Sequence, residues 1–307
     1  MPDGLSDRAL DRLADALGRS GDRRGERFEL HPLSRGTFTR TFRLALDSDV
    51  FFVKLASGDS TDAISAEADG LARLAEVGAV SVPAVRALVD LHGVEIDGSD
   101  STLLVLQWLD LDRLDDRASA ALGERLAALH RKATSTRHGL DRDNWIGATP
   151  QANAPTSDWT TFLFEHRLGA MIDRLAGAGI EFGPGTTPRL RAAWTAEFSG
   201  YDPEPSLLHG DLWGGNAGQR PDGAPVIFDP AVHHGDRECD LAMASLFGGF
   251  GRAFFDAYAA TWPLEPGWKL RREYYQLYHV LNHALLFGGG YMADARQRIA
   301  RLVGGPD

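Results

Sequence analysis

The sequence is poor in cysteine, in positive charge and in long apolar runs. Its one cysteine, Cys239, cannot form a disulfide within the chain, which is typical of a reducing compartment. Only 32 lysines and arginines face 43 aspartates and glutamates, and the formal net charge of -11 argues against non-specific binding of nucleic acid. No stretch approaches the roughly 20 apolar residues of a membrane span, and residues 1–21 lack the apolar centre of a signal peptide. We therefore expect a cytoplasmic protein that binds neither nucleic acid nor membrane.

The chain has enough residues, 307, for two lobes with a core each, and its hydrophobic content of 43% is that of a globular protein. Apolar residues recur at helical spacing near the N-terminus and then at every second position. The pattern predicts helices at about residues 10–17 and 60–77, and strands at residues 38–46, 50–56, 83–90 and 101–109. The first 110 residues therefore predict a small sheet with one inserted helix.

Beyond Asp110 the pattern is mainly helical. Residues 134–157 are rich in Thr, Asn, Pro and Gly, which predicts a loop. Helices are expected around residues 122–129, 159–175, 189–198 and 270–287, with short strands at residues 206–209 and 225–229.

A lysine stands in a strand where a core residue is expected. Lys54 is in phase with Val50 and Phe52 of an apolar strand, so it faces the same side as they do. A buried lysine needs a partner, and Glu67 on the following helix could provide one. The alternative is that Lys54 extends its stem and reaches solvent. The strand and helix patterns alone leave both open.

Three polar residues follow or end short strands in the second half of the chain. Asp211 and Asn216 lie five residues apart in "LLHGDLWGGN", and Asp229 ends "VIFD" before a proline. Each could cap a turn. Together they supply hard oxygen ligands, which suit Mg²⁺ and phosphate chemistry, and turn chemistry does not predict the joint pattern.

The order of these five residues is that of a kinase: a strand lysine, a helix glutamate, an aspartate, an asparagine five residues on, and a final aspartate. "HGD" replaces His-Arg-Asp, however, and Asp229-Pro230 replaces Asp-Phe-Gly. The sequence resembles the small-molecule kinases of the aminoglycoside phosphotransferase type, and among them the fructosamine kinase (ketosamine-3-kinase) family. The resemblance runs through nearly the whole chain and includes "FFVKLA", "EADGLARL", "NWIGATPQAN", "LLHGDLWGGNAG" and "VIFDPAVHHGDRECDLAM".

That resemblance implies an α+β, two-lobed, protein-kinase-like fold: a nucleotide-binding lobe of residues 1–106 with a small antiparallel sheet and one helix, a hinge at 107–110, and a larger helical lobe at 111–307. It implies ATP and Mg²⁺ as cofactors, and phosphorylation of the 3-hydroxyl of a ketosamine, which releases the amine. The implied roles are Asp211 as catalytic base, Asn216 and Asp229 as Mg²⁺ ligands, and Lys54, steadied by Glu67, on the ATP phosphates. Backbone groups around Gln107 and Leu109 in "LQWLD" would hold the adenine edge.

Other implied contacts rest on fewer residues. The loop that would cover the phosphates, "LSRGTFTR", has one glycine, Gly36, where a full glycine-rich loop has three. Trp213 could stack on the sugar or on the amine-bearing group, or it could pack under its own loop. The candidates for the acceptor side are His234, in "AVHHGD", and Asn144 and Trp145, in the "NWIGATPQ" loop.

Three rival functions follow from the same residues. The acceptor could be an aminoglycoside, choline or another small alcohol. A pseudokinase would bind nucleotide without turnover, although all five core polar residues are present. A metal hydrolase could use the histidines and aspartates of residues 209–236, but it leaves Lys54, Glu67 and Asn216 without a role. The sequence indicates neither the oligomeric state nor the preferred sugar.

Overall fold

The N-terminal part of the chain forms a five-stranded antiparallel sheet. A computed structural model describes residues 5–18, 28–35, 39–92 and 100–304. The strands lie in the order β1-β2-β3-β5-β4, and every neighbouring pair is antiparallel. They are β1 (Phe28–Arg35), β2 (Arg40–Leu46), β3 (Asp49–Ser57), β4 (Val85–Asp90) and β5 (Ser101–Gln107).

Alternation along β5 gives the sheet two apolar faces, each covered by a helix. Leu103 and Val105 pack in the cluster that contains α1 (Asp7–Ala16). Leu104 and Leu106 pack with α2 (Thr61–Val77). Lys54 pairs with Leu104 across β3 and β5, so its side chain points to the face that α2 covers.

The remainder of the chain is mainly helical. Its helices are α3 (Asp116–Lys132), α4 (Trp159–Leu163), α5 (Gly169–Gly177), α6 (Thr186–Glu197), α7 (Glu238–Ala244), α8 (Arg252–Thr261), α9 (Trp268–Phe287) and α10 (Gly289–Gly304). A π-helical turn, Phe164–Leu168, joins α4 to α5. Two short hairpins lie between the helices: β6 (Asn144–Ile146) with β7 (Thr149–Gln151), and β9 (Ala217–Gln219) with β10 (Pro225–Ile227). The strands that flank the second hairpin, β8 (Ser206–Leu208) and β11 (His233–Gly235), also pair with each other.

The helical part has two apolar clusters. The first gathers α4, α5 and α6 around α9, whose Leu277 and Leu281 are fully buried. The second packs α3 against α8 through residues such as Leu126 and Phe254. Strand β6 contacts α2, and strands β8 and β10 contact α3.

The structure alters the predicted elements at several points. Residues 134–157 are not only loop, since they contain the β6–β7 hairpin. Three polar side chains of this hairpin, Asn144, Thr149 and Gln151, are buried and hydrogen-bonded inside the protein. Gly36 of the predicted phosphate-covering loop lies outside the described residues. Within the described ranges, we find no helix with the length and apolar character that crossing a bilayer requires.

Candidate active site

Lys54 of β3 is paired with two carboxylates at once. Its Nζ lies 2.8 Å from Glu67 on α2 and 2.6 Å from Asp229, which follows β10. The lysine side chain is 8% exposed and that of Asp229 is 44% exposed. The predicted Lys54–Glu67 pair is therefore present, and solvent is not the partner of Lys54.

Burial alone disfavours a charged Lys54, yet Glu67 and Asp229 outweigh it and raise the pKa of Lys54 above its ordinary value. Burial raises the pKa of Glu67, and Lys54 opposes that rise. The lysine remains a cation at neutral pH. It lies between the Glu67 carboxylate, whose side chain is 14% exposed, and the more open Asp229 carboxylate.

Asp211 and Asn216 lie together in the turn after β8. The Asn216 Nδ2 donates to the backbone oxygen of Asp211 at 2.9 Å and to its Oδ2 at 3.2 Å. The backbone oxygen of Asn216 accepts the N–H of Phe228 at 3.0 Å, which ties this loop to the segment that carries Asp229. Because Nδ2 is used inside the loop, the Oδ1 of Asn216 remains as the atom for an external partner.

The Asp211 carboxylate is a stronger base than an exposed aspartate. Burial, and then the negative charge of Asp229, raise its pKa to about 7, while the hydrogen bond from Asn216 opposes the rise. A base with a pKa near neutrality suits proton transfer from a hydroxyl.

Asp240, in the first turn of α7, anchors the loop that carries Asp211. Its carboxylate accepts the backbone N–H groups of His209 and Gly210, both at 2.8 Å, and lies 3.2 Å from His130 Nε2 on α3. Asp240 is 1% exposed, and the sequence reasoning assigned it no role. The available signal was an aspartate in an apolar run, "CDLAMA", but that run does not identify its partners.

Gly210 is required by the path of the backbone. Its φ is +82°, and a Cβ here would overlap the carbonyl oxygen of Ala231. The N–H of Ala231 in turn donates to the His209 oxygen at 2.8 Å. The loop of Asp211 and the loop of Asp229 therefore run in direct backbone contact, which fixes the two carboxylates relative to each other.

A cavity of about 310 Å³ gathers the predicted residues. Its lining includes Lys54, Glu67, Asp211, Asn216 and Asp229. Asn144, Trp145 and Trp213 from the predicted acceptor side also line it, and Trp213 is 39% exposed.

His234, which was predicted for the acceptor side, lies elsewhere, as do its neighbours His233 and Asp236. His234 is not part of this cavity, because it lies on β11 with its backbone bonded to Gly139. His233 stacks on Phe162 in the interior. Asp236, 1% exposed, accepts hydrogen bonds from Tyr201 and Tyr275.

Asn144 has a structural role in addition to its place at the cavity wall. Its Nδ2 donates to the Val232 oxygen at 2.7 Å, and its Oδ1 accepts from Gln151 and Asn153, each at 2.8 Å. Arg167, from the π-helical turn, donates to Asn153 Oδ1 at 2.7 Å. These bonds fix the β6–β7 hairpin against the segment that follows Asp229.

A second cavity, of about 230 Å³, adjoins the connection between the sheet and the helices. It is lined largely by apolar side chains, among them Phe52 and Leu106, and reaches Gln107, Leu109 and Asp229. The Gln107 N–H already donates to the Ala84 oxygen at 2.8 Å. A flat, apolar slot that ends at Asp229 is suited to an adenine ring whose phosphates extend toward Lys54.

The donor set fits Mg²⁺ better than a transition metal. Mg²⁺ is held in proteins by one or two carboxylates, with substrate phosphates and waters completing its shell. Asp229 and the Oδ1 of Asn216 supply such oxygens. In the part of the chain that the structure describes, no three histidines, cysteines, aspartates or glutamates lie together as a metal site would require.

The architecture is that of solved phosphotransferases. A thermostable mutant of an aminoglycoside phosphotransferase, in a ternary complex with AMP-PNP and hygromycin B, superposes with a TM-score of 0.61 at 16% identity over 90% of this chain and 93% of that one. At this identity the likeness concerns the fold alone. A crystal structure from Haemophilus somnus, provisionally named a fructosamine-3-kinase, gives a TM-score of 0.84 at 28% identity, covering 94% of this chain and 95% of that one. The protein is thus an α+β kinase of the two-lobed, protein-kinase-like fold.

The sequence comparisons are more specific. The sequence model of the family described as fructosamine kinase matches residues 13–304. A probable ketoamine kinase of Synechocystis is 40% identical over 276 residues, 90% of each chain. One of Escherichia coli K12 is 39% identical over 253 residues, which is 82% of this chain and 85% of the relative. The chain belongs to the fructosamine kinase family.

Proposed function

We propose that this kinase transfers the γ-phosphoryl group of ATP, with Mg²⁺, to the 3-hydroxyl of ketosamines. The observation that carries the proposal is the single cavity that gathers Lys54, Glu67, Asp211, Asn216 and Asp229. The names of the relatives, ketoamine and fructosamine kinases, support the acceptor class.

Asp211 is the base in this proposal. Its carboxylate accepts the proton of the sugar hydroxyl while the hydroxyl oxygen bonds to the γ-phosphorus and the bond to ADP breaks. Phosphoryl transfer depends mainly on positioning and charge, so the carboxylate also orients the hydroxyl. The raised pKa of Asp211, about 7, allows it to take up that proton.

Lys54 contacts the ATP phosphates, and Glu67 holds it in place. Asn216 and Asp229 hold Mg²⁺, which supplies charge neutralisation on the transferred phosphates. Asp229 must release Lys54 in part when nucleotide enters, because the two are 2.6 Å apart in the structure. Glu67 keeps the lysine oriented during that exchange.

The adenine ring occupies the apolar slot, with the two lobes dividing at residues 107–110. Since the Gln107 N–H is already bonded to Ala84, the adenine contact there is assigned to the carbonyl of Gln107 and to the backbone of Leu109. A phosphate contact by Gly36 stays a prediction, because that residue lies outside the described part of the chain. Phosphorylation at C3 destabilises the adduct and frees the amine, so the cellular role is deglycation in the cytoplasm.

The site of phosphorylation tests this assignment. The product of a fructosamine substrate is examined by phosphorus–proton correlation NMR, and a 3-deoxy analogue serves as control. A single phosphate on C3, with no turnover of the 3-deoxy compound, is expected. Phosphate on another carbon, or equal turnover of the analogue, contradicts the proposal.

A further inference from the structure

Five aromatic rings continue outward from the active-site cavity. We call them the aromatic wall: Trp213, Phe247, His283, Phe287 and Tyr291. Ring centroids lie 6.4 Å apart for Trp213–Phe247, 4.5 Å for Phe247–His283, 6.2 Å for Phe247–Tyr291 and 5.6 Å for His283–Phe287. They come from the catalytic loop, the loop after α7, α9 and α10, so four separate segments converge here.

The wall is fixed to the catalytic loop by backbone contact. A Cβ at Gly214 would clash with the backbone of Gly248 and Gly249, and a Cβ at Gly249 would clash with Gly214. The segment that carries Phe247 therefore packs directly on the segment that carries Trp213. The Trp213 ring lies over Gly215, where a Cβ would overlap it. Phe247 is thus held beside the active site.

Two rings of the wall are unusually open to solvent. Trp213 is 39% exposed and Phe287 is 57% exposed. Trp213 also lines the cavity that contains Asp211, so the aromatic surface is continuous from the reaction centre to the exterior. A contiguous exposed apolar patch that begins at a binding cavity is typical of a ligand site.

We propose that the aromatic wall binds the nitrogen substituent of the ketosamine and selects amines with an apolar or aromatic substituent over amines that carry a carboxylate. This inference rests on the proposed function. In a ketosamine the nitrogen is attached to C1 and the reacting hydroxyl to C3. With that hydroxyl at Asp211, the nitrogen lies near Trp213, and its substituent extends toward Phe247 and Phe287.

The chemistry of the rings fits a protonated secondary amine. The faces of aromatic rings attract cations, and the wall contains no lysine or arginine. Burial lowers the pKa of His283 and disfavours its positive charge, while the hydrogen bond that its Nδ1 donates to the His279 oxygen at 2.8 Å opposes that fall. The same faces disfavour a carboxylate on the substituent, and Asp211 and Asp229 line the cavity together with Trp213. Ketosamines of alkyl amines, aryl amines or peptide lysines meet these conditions better than those of free α-amino acids.

The test uses three fructosamines that share one sugar and differ in the amine: benzylamine, methylamine and glycine. The protein variants are Phe287→Ala, Phe287→Tyr, Phe247→Ala and the matched control Leu270→Ala, which removes a 48% exposed side chain from the opposite end of the same helix. We expect wild type to show a KM for the benzylamine adduct about 5- to 10-fold below that for the glycine adduct. Phe287→Ala and Phe247→Ala should raise the benzylamine KM about 3- to 10-fold, and the methylamine KM less. Leu270→Ala should match wild type, and Phe287→Tyr, which keeps an aromatic ring, should raise the benzylamine KM less than Phe287→Ala does.

Other results overturn the inference. If both alanine variants leave the benzylamine KM unchanged, or shift KM equally for all three amines, the wall does not bind the substituent. If Phe287→Ala changes the sedimentation of the protein but not KM, the wall is a contact between copies of the chain. If wild type turns over all three adducts with one KM, the proposed function stands and this inference fails. If wild type phosphorylates none of them, the proposed function fails as well.

Discussion

The Oδ1 of Asp240 accepts the backbone N–H of Gly210 at 2.8 Å, from a helix that begins 28 residues after that glycine (238 − 210). The other oxygen, Oδ2, accepts the N–H of His209 at the same distance. One buried carboxylate therefore satisfies two consecutive donors immediately before Asp211. Because the hydrogen bonds are charge-assisted and enclosed, they hold the loop rigidly. Asp211 owes its position to a residue that need not contact the substrate.

Replacing Asp240 by Asn should lower kcat more than it changes KM for ATP. The amide oxygen of an asparagine can accept one of the two backbone N–H groups, of His209 or of Gly210. Its NH₂ group then faces the other N–H and cannot accept it. We expect kcat to fall about 10- to 100-fold and the free energy of unfolding to fall by about 2–4 kcal/mol. Steady-state kinetics and urea unfolding measure both. Asp256→Asn, in an exposed pair with Arg252, is the control, and an Asp240→Asn variant that behaves like it would show that the anchor is dispensable.

Gly210→Ala should be inactive and destabilised. At φ +82° an alanine strains the backbone by about 1–3 kcal/mol, and its Cβ also overlaps the Ala231 oxygen. Gly223→Ala measures the backbone strain without the overlap, because Gly223 has φ +80° and no atom within 4 Å of the added carbon. Thermal unfolding and turnover of both variants are compared. If the two variants lose equal stability and equal turnover, the close contact between Gly210 and Ala231 contributes to neither.

Asp229→Ala should weaken binding of Mg·ATP and lower turnover together. The change removes the proposed oxygen ligand for Mg²⁺ and one partner of Lys54. Calorimetry should show about a tenfold or greater loss of affinity for ATP with Mg²⁺, and a much smaller change for ATP in the presence of a chelator. Asp222→Ala, at an exposed turn aspartate, should bind as wild type. A loss of equal size with and without Mg²⁺ would assign Asp229 to another role.

The stability of the protein should depend on pH through His279. Burial lowers the pKa of this 4% exposed histidine to about 3, whereas an unfolded histidine titrates near 6.5. Between those values the unfolded chain binds the extra proton, so this contribution to stability is complete above about pH 6.5 and is lost as the pH falls below it. Wild type should lose about 1.4 kcal/mol more than His279→Leu between pH 7.5 and pH 5.5.

The difference in stability between wild type and His279→Leu excludes the pH-dependent contributions that both proteins share. Buried carboxyls with raised pKa values, such as Glu67, act in the opposite direction but cancel in the difference. Urea midpoints at the two pH values provide the measurement. Curves that stay parallel across this range would show that His279 is protonated alike in both states.

The sequence predicted the parts of the site that depend on residues close together in the chain. Lys54 is in phase with core residues of its own strand, so strand periodicity alone placed it on an inner face, and the helix that follows offered Glu67. Asp211 and Asn216 are separated by five residues in one turn, and the structure joins them by a hydrogen bond. The same alternation and helical spacing predicted β2 to β5 and the helices α1, α2, α3, α6 and α9, but not β1, the β6–β7 hairpin, α7, α8 or α10.

The parts that could not be predicted depend on contacts between distant segments. The backbone donors of Asp240 lie 30 and 31 residues away, and no local pattern reveals them. Asn144 looks like a loop residue because of its neighbours, and only tertiary packing places it in a buried network. His234 is close to Asp229 in the sequence, but it pairs with Leu207 on β8 and does not line the cavity.

The most direct test of the account is ADP release with Mg·ATP across a panel of acceptors, with Asp211→Asn as the blank. The panel contains ribulose-lysine, erythrulose-lysine, fructose-lysine, an aminoglycoside and choline. We predict turnover confined to the ketosamines, and a loss of about 10²- to 10⁴-fold in Asp211→Asn with ATP still bound. Turnover of only the aminoglycoside or choline, or near wild-type turnover by Asp211→Asn, would contradict it.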